Sequence, residues 1–262
     1  MAAPLAVFIH IPKTAGMALK QGFFEAVGHQ VIWYHGDSNE YVEKSPIRHI
    51  RSLNRLTPGV LRNCRILGGH IRFHTLPGSV MMFQPTFLTI IRDPVARAIS
   101  LYTYIQRKQT HRLHAGLSPL TLCQALSLPE FRRKACDQQL RFICGKRRRK
   151  ALRKTLNQHR FIVGKFENLA PFIAAVERHL QIPITLAGQT RNSGGDYMEK
   201  VRAQPDFEAA IELLRKLNAK DQQFYDSFED VLVTGDGAPD SAQPTLRSTS
   251  ALEITALLRE VA

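Results

Sequence analysis

His10-Ile-Pro-Lys-Thr-Ala-Gly16 sets a lysine, a hydroxyl and a glycine between an apolar run and an amphipathic one. Where a strand hands over to a helix, such a loop presents backbone N–H groups at the positive end of the helix, which is a ready anion site. Lys13 adds a point charge and Thr14 a hydroxyl donor. The GxxxxGK[ST] spacing is absent, and so is GxGxxG, so neither a Walker loop nor a dinucleotide fingerprint is present. An ordinary strand-to-helix turn with a surface lysine stays open as the alternative. A second junction reads Ile91-Arg92-Asp-Pro-Val-Ala-Arg97-Ala-Ile-Ser100. Arg92 falls at the carboxyl end of a β-rich run, where doubly wound sheets bind ligands. A guanidinium fork there suits a phosphate, and Ser100 lies two turns into the helix that follows. The alternative is Arg92 paired with a local carboxylate and Ser100 as a small buried residue.

The elements that must position these residues alternate strand, loop and helix. Leu5–Ile11 is an apolar run of strand length without clean alternation, as expected of a strand buried on both faces. Leu19, Gly22, Phe23, Ala26 and Val27 follow at helical spacing, with Gly28 as a C-cap. Arg65–His70 reads as a short strand ending in two glycines and a histidine. Thr86–Ile91 is a strand, Asp93 caps the next helix, and Pro94 suits its first turn. Arg160–Gly164 is a further strand, with Asn168 as the cap of a helix carrying Leu169, Phe172, Ile173, Val176 and Leu180. Two more helices are expected over Phe207–Leu217 and Asp221–Val233. This alternation predicts an α/β fold: a parallel sheet flanked by helices on both faces. One domain is expected over residues 1–233, a Gly/Pro/Ser/Thr-rich flexible linker over 234–249, and a short amphipathic helix or tail over 250–262.

Composition narrows the class. The chain has 262 residues, 44% hydrophobic and 22% charged, which excludes collagen, coiled coil and general disorder. No run of 18 apolar residues exists, so no transmembrane helix is expected. The N-terminus lacks the basic start and apolar length of a signal peptide, which points to a cytoplasmic protein. Four cysteines without a CxxC pair argue against a disulfide scaffold or a cysteine zinc site. The excess of 36 Lys+Arg over 22 Asp+Glu, +14, points to an anionic partner. The run Lys146-Arg-Arg-Arg-Lys150 with Arg153 and Lys154 is a candidate polyanion patch, its alternative a solvated helix face. No aromatic residues interleave it and no nucleic-acid module is present, so nucleic acid is not an expected partner.

These residues resemble a family. His10–Gly16 is similar to the PKTAG 5′-phosphosulfate loop of sulfotransferases that use 3′-phosphoadenosine 5′-phosphosulfate (PAPS). Arg92-Asp-Pro with Arg97 and Ser100 is similar to their 3′-phosphate motif. The pair resembles most the carbohydrate branch, which includes heparan sulfate 2-O-sulfotransferases and soluble bacterial-type members. Asp137–Gly145, the G-x-x-E-x-L turn Gly164–Leu169, and Asn218–Tyr225 also resemble segments of that branch, in the same order along residues 7 to 230. The resemblance implies a single P-loop-like α/β domain and in-line transfer of a sulfuryl group from PAPS, as co-substrate, to a hydroxyl acceptor. It implies no metal. Lys13 would stabilise charge on the leaving phosphate oxygen. Pro12, Lys13, Thr14, Ala15, Gly16 and Met17 would cradle the 5′-phosphosulfate, and Arg92 and Ser100 would hold the 3′-phosphate. One departure stands out: the family loop continues Gly-Thr-Ser, and here Gly16-Met17-Ala18 removes two hydroxyl donors.

Transfer needs a base. In the resembling enzymes a histidine after a short glycine turn has that role, and His70 in Gly68-Gly-His-Ile-Arg-Phe-His74 matches its place. His74 is the second candidate, as base or acceptor-binding residue. A hydrogen-bonded structural histidine is the alternative for His70. The two histidines are also four apart, but no acidic or third ligand stands at metal-motif spacing. His35 and Glu40 are candidate acceptor contacts. Glu167 is read as structural, and Arg191–Gly195 either as a flexible turn that could close over the nucleotide or as an ordinary surface loop. The expected acceptor is a sugar hydroxyl, with an acidic glycan as candidate. Two other readings remain: a protein of the same fold that binds PAPS or polyanions with weak or no catalysis, and an ATP-dependent kinase. The kinase would need a Walker lysine loop and a Mg²⁺ carboxylate.

Overall fold

Ala6-Val-Phe-Ile9 forms strand β1 and is buried on both sides. Val7 and Ile9 join one apolar cluster, Ala6 and Phe8 the other, as the two-residue period of a strand requires. The protein is seen in a computed structural model that describes residues 4–35, 46–186 and 195–235. The remaining strands are β2 (Val31–Tyr34), β3 (Arg48–Ile50), β4 (Ile66–Gly69), β5 (Thr86–Ile91), β6 (Phe161–Lys165) and β7 (Val231–Val233). Their order across the sheet is β3-β2-β4-β1-β5-β6-β7. Strands β1 to β6 pair in parallel, and β7 closes one edge antiparallel to β6. The architecture is therefore α/β, a mostly parallel sheet with helices on both faces.

Helices Gly16–Val27 and Ala170–Leu180 cover one face through Leu19, Phe23, Phe172 and Val176. The opposite face is covered by Gln138–Cys144, Arg149–Gln158 and Ala219–Tyr225 through Leu140, Ile143, Leu152, Leu156 and Phe224. A third cluster lies around helix Pro94–Arg107, whose Ala98, Ile99, Tyr102 and Ile105 pack with Phe131, Ala210 and Leu214. Phe8, Phe23, Phe87, Phe161 and Phe172 are fully buried, and truncating one of these to alanine should cost about 3–5 kcal/mol. Among the described residues no helix is long and apolar enough to cross a membrane.

The termini of several elements follow local rules. Asp93 caps helix Pro94–Arg107 by accepting from Ala96 N at 2.7 Å, with Pro94 in the first turn. Gly28 ends helix Gly16–Val27 at φ 57 and donates its N–H to Phe24 O. Asn168, however, caps nothing. Its backbone belongs to a tight turn back to Lys165, and helix Ala170–Leu180 starts after Leu169 without a side-chain cap. Nor is Asp221–Val233 one helix. The helix runs Ala219–Tyr225, and Val231-Leu-Val233 turns back as β7, because a β-branched run gains more by pairing with the open edge of β6. Strands β2 and β3, of 4 and 3 residues, carry too short a pattern to be expected from sequence. The same holds for the short helices Leu122–Ser127, Pro129–Ala135 and Gln138–Cys144. Thr234 is still tied to the sheet, donating N–H to Phe161 O and hydroxyl to His159 O. The rest of the expected linker, apart from Gly235, and the whole 250–262 segment lie outside the described residues.

Candidate active site

The chain leaves β1 toward β2 on one side and leaves β5 toward β6 on the other, so its direction reverses between two neighbouring strands. Open α/β sheets bind ligands outside the carboxyl ends of the strands at such a reversal. The two loops singled out by sequence follow these two strands. The histidine turn follows β4, on the other side of β1.

The Pro12–Gly16 loop is built on an unusual backbone. Lys13 and Ala15 both have positive φ, 74 and 61, with Thr14 between them at negative φ. Alternation of this kind turns backbone N–H groups toward one side, as in anion-binding nests. Non-glycine residues hold such angles at a cost of about 1 kcal/mol or more each, and they gather at functional sites. The Thr14 hydroxyl is buried and donates to Ile11 O at 2.8 Å. Its only hydrogen is thus engaged in shaping the loop, and donation to a ligand falls to backbone N–H groups. Helix Gly16–Val27 then opens with no side-chain cap and no acidic residue in its first turn, which leaves its positive end uncompensated. Met17, in that first turn, is 65% exposed. Lys13 places Nζ 4.5 Å from the centre of the Tyr104 ring.

Why position 16 is glycine is a matter of space. A Cβ there would come within 1.9 Å of His10 Cδ2 and 2.0 Å of Nε2. The start of the helix therefore lies directly against the His10 imidazole.

Arg92 connects the second loop to the first. Its Nη1 donates to Lys13 O at 3.4 Å, and its guanidinium lies 4.4 Å from the Phe166 ring centre. Arg92 Nε is buried with no partner among the described residues, an unmet donor of the sort that a bound anion satisfies. Glu167 sits at the same turn, where Oε1 accepts from Asp93 N at 3.1 Å. Ser100 is half-buried in helix Pro94–Arg107, and its carbonyl accepts from Thr103 Oγ1. Arg97 turns the other way. It is 1% exposed and donates Nη2 to the carbonyls of Lys134 and Ala135 at 3.2 and 2.6 Å, so it holds the third cluster together and does not reach the crevice.

His70 stands where β4 ends. Gly69 before it has φ +136, and a Cβ there would meet Tyr34 O at 2.0 Å, so only glycine makes this turn. His70 Nδ1 is 3.0 Å from His10 O. A carbonyl can only accept, so Nδ1 carries the hydrogen and the lone pair of the neutral ring is on Nε2. The His70 and His10 rings stack at 4.4 Å. His74 has a different neighbour. It is exposed, and its ring packs on Gly145, where a Cβ would come within 2.6 Å of Nδ1. Burial lowers its pKa, helped by Arg72 and Arg141.

Two histidines that sequence gave no role of their own emerge here. His10 is buried, stacked between Phe8 and His70, and its Nδ1 has no hydrogen-bond partner among the described residues. His49 on β3 is bonded ring to ring with His35, which follows β2. The adjacent parallel strands β3, β2, β4 and β1 thus each bring a histidine to the crevice side. No spacing rule reveals this, because the four lie on or just after four separate strands. Glu40 and residues 191–194 of the Arg191–Gly195 turn lie outside the described residues, and Gly195 starts a helix.

Burial, then the charges of His70, Lys13 and Lys20, hold His10 well below the ordinary imidazole range. Burial, Lys20 and His35 push His49 down to about 4. His74, His159 and His179 are lowered as well, chiefly by burial. The unfolded chain binds more protons than the folded one around and below the ordinary imidazole value of 6.5, so these groups withdraw stability as pH falls through it. Asp221, raised from 3.8 to about 6 by burial, acts in the opposite sense, and what it contributes is lost as pH rises through about 6. With five histidines set against one carboxylate, the melting temperature should fall between about pH 7.5 and pH 5.5, and fall less in His10→Phe. A melting temperature that rises over this interval contradicts that expectation.

No protein-family model and no curated protein matches the chain. Among solved structures the chain is similar to mouse sulfotransferase SULT7A1 complexed with PAP, at 12% sequence identity and a TM-score of 0.42, over 82% of each chain.

Proposed function

We propose that this protein is a sulfotransferase that moves a sulfuryl group from PAPS to an acceptor hydroxyl. The observation that carries the reading is the convergence on one crevice. Three neighbouring strands, β4, β1 and β5, deliver His70, the Pro12–Gly16 loop and Arg92 there. The bonds from Arg92 Nη1 to Lys13 O and from His70 Nδ1 to His10 O join them. The residues suit the two anionic ends of the donor. The uncapped helix end, the nest-like backbone and Lys13 fit a 5′-phosphosulfate, and the Arg92 guanidinium with its unmet Nε fits a 3′-phosphate.

In the proposed reaction the acceptor oxygen attacks sulfur opposite the phosphate oxygen. The S–O bond to phosphate breaks as the new O–S bond forms. The acceptor proton passes to His70 Nε2, and Lys13 with the loop N–H groups meets the charge left on the phosphate oxygen. Neutral His10, stacked on His70, places no second cation beside the imidazolium that forms. We assign the acceptor as a sugar hydroxyl on the resemblance to the carbohydrate branch. A cavity of about 470 Å³ lined by Arg132, Arg133, Arg147, Lys216 and Lys220, with Asp137 beside them, is a candidate surface for steering an acidic glycan. Attraction to such a surface weakens with salt.

The test is calorimetric binding of adenosine 3′,5′-bisphosphate (PAP), 5′-AMP and ATP without metal. PAP should bind at least about 10-fold tighter than AMP, and Arg92→Ala should remove most of that difference. Equal affinities would overturn the donor assignment. Met17 and Ala18 favour one second reading, nucleotide binding with little turnover. Tight PAP binding with no sulfated product across an acceptor screen would select it.

A further inference from the structure

Asp137–Gly145 and Asn218–Tyr225 touch no atom of the proposed reaction, yet they meet behind Arg92. Gln139 is 1% exposed, and its side-chain amide brackets the Arg92 backbone. Oε1 accepts from Arg92 N at 2.8 Å, and Nε2 donates to Arg92 O at 2.8 Å. Arg92 is the first residue beyond β5, and the amide continues the pairing that the strand has just left. Gln139 is itself held from 82 residues away. Asp221, fully buried, accepts from Gln139 N through Oδ2 at 2.9 Å and from Leu140 N through Oδ1 at 3.0 Å. It thus caps a helix whose own N-cap residue, Asp137 at φ 45, gives no side-chain cap. Asp137 repays the contact by accepting from Asp221 N at 3.2 Å, and Asn218 Oδ1 accepts from Asp137 N at 3.0 Å.

We propose that Gln139, held by Asp221, is the positioning residue that sets Arg92 for the 3′-phosphate. This rests on the donor reading given above. The guanidinium can reach both Lys13 O and a ligand phosphate only if the Arg92 backbone stays fixed, and β5 no longer fixes it there. Gln139 then determines how well the site tells a 3′-phosphorylated nucleotide from one lacking that group, without touching either.

The experiment is calorimetry with PAP and 5′-AMP on the full chain carrying Gln139→Met, Gln139→Glu, Arg92→Ala or Arg92→Ala with Gln139→Met. Two neutral hydrogen bonds are at stake, so Gln139→Met should weaken PAP about 10-fold and leave AMP unchanged. Gln139→Glu keeps the acceptor but faces a carbonyl with a carboxylate, and should do at least as much. In the Arg92→Ala background Gln139→Met should add nothing, because its effect passes through Arg92. An equal loss for PAP and AMP, or a full additional loss on top of Arg92→Ala, would overturn the proposal. A folding defect lowers both nucleotides together, so it cannot imitate the expected result. Hydrogen exchange of the Arg92 amide gives a second, ligand-free readout, expected to be about 10-fold faster in Gln139→Met. If wild type does not distinguish PAP from AMP, the donor reading fails, and an unchanged Arg92 exchange rate overturns the bracket separately.

Discussion

Replacing His70 by alanine is expected to slow sulfuryl transfer by about 10²- to 10⁴-fold while PAP binds as before. The asymmetry follows from the geometry. His70 is fixed by its bond to His10 O, 3.0 Å, and by stacking on the His10 ring, whereas the proposed nucleotide site lies on the next two strands, at the Pro12–Gly16 loop and Arg92. Only a group that takes the acceptor proton should leave donor affinity intact and remove turnover. The acid limb of the pH–rate profile should disappear with it, since protonation of Nε2 is what switches the base off. Initial rates with saturating PAPS, beside PAP calorimetry on the same preparation, decide the matter. Near-normal turnover in His70→Ala would show that the base lies elsewhere. His74→Ala is the companion measurement, and it should be nearly silent if His74 packs on Gly145 as the structure has it.

The second large effect is expected at Gly16. Alanine there would drive a methyl into the His10 ring, at 1.9 Å from Cδ2. The ring has no retreat, because Phe8 and His70 stack on it and Trp33 lies 6.0 Å away. Overpacking of this kind costs about 1–3 kcal/mol, and here the strain falls on the helix start of the proposed anion site. Urea unfolding of Gly16→Ala should show that loss, together with weakened binding of PAP and AMP alike. His10→Ala makes room, so Gly16→Ala should cost much less in that background, a coupling that a double-mutant cycle reads directly. The same penalty in both backgrounds would mean that the contact with His10 does not govern position 16.

The legible parts of this fold were those written in local code. Thr86–Ile91 is a strand at those bounds, and Asp93 with Pro94 starts the next helix where cap chemistry says it must. Helix Phe207–Leu217 also has the limits that its apolar spacing predicts. The failures share one cause. Strands β2, β3 and β7 have only 4, 3 and 3 residues, too short for a period to show. What makes them strands is a neighbour's open hydrogen bonds. Asn168 fails as a cap because its backbone is committed to the Lys165 turn, which local cap preference does not register.

The residues that could do chemistry can be named from the order of the chain: the loop with Lys13 and Thr14, Arg92 at a strand end, and a histidine after two glycines. Their types and short spacings are enough for that, because anion binding at a helix start and an arginine fork are local chemistry. Which of them meet is settled by packing alone. Sheet order puts β4, β1 and β5 side by side, while packing turns Arg97 inward to backbone carbonyls, engages the Thr14 hydroxyl within its own loop and seats His74 on Gly145. It also carries Asp221 across 82 residues to the N–H of Gln139, and Gln139 to Arg92. Buried polar groups must find partners wherever the packing brings them, and spacing along the chain does not encode that choice.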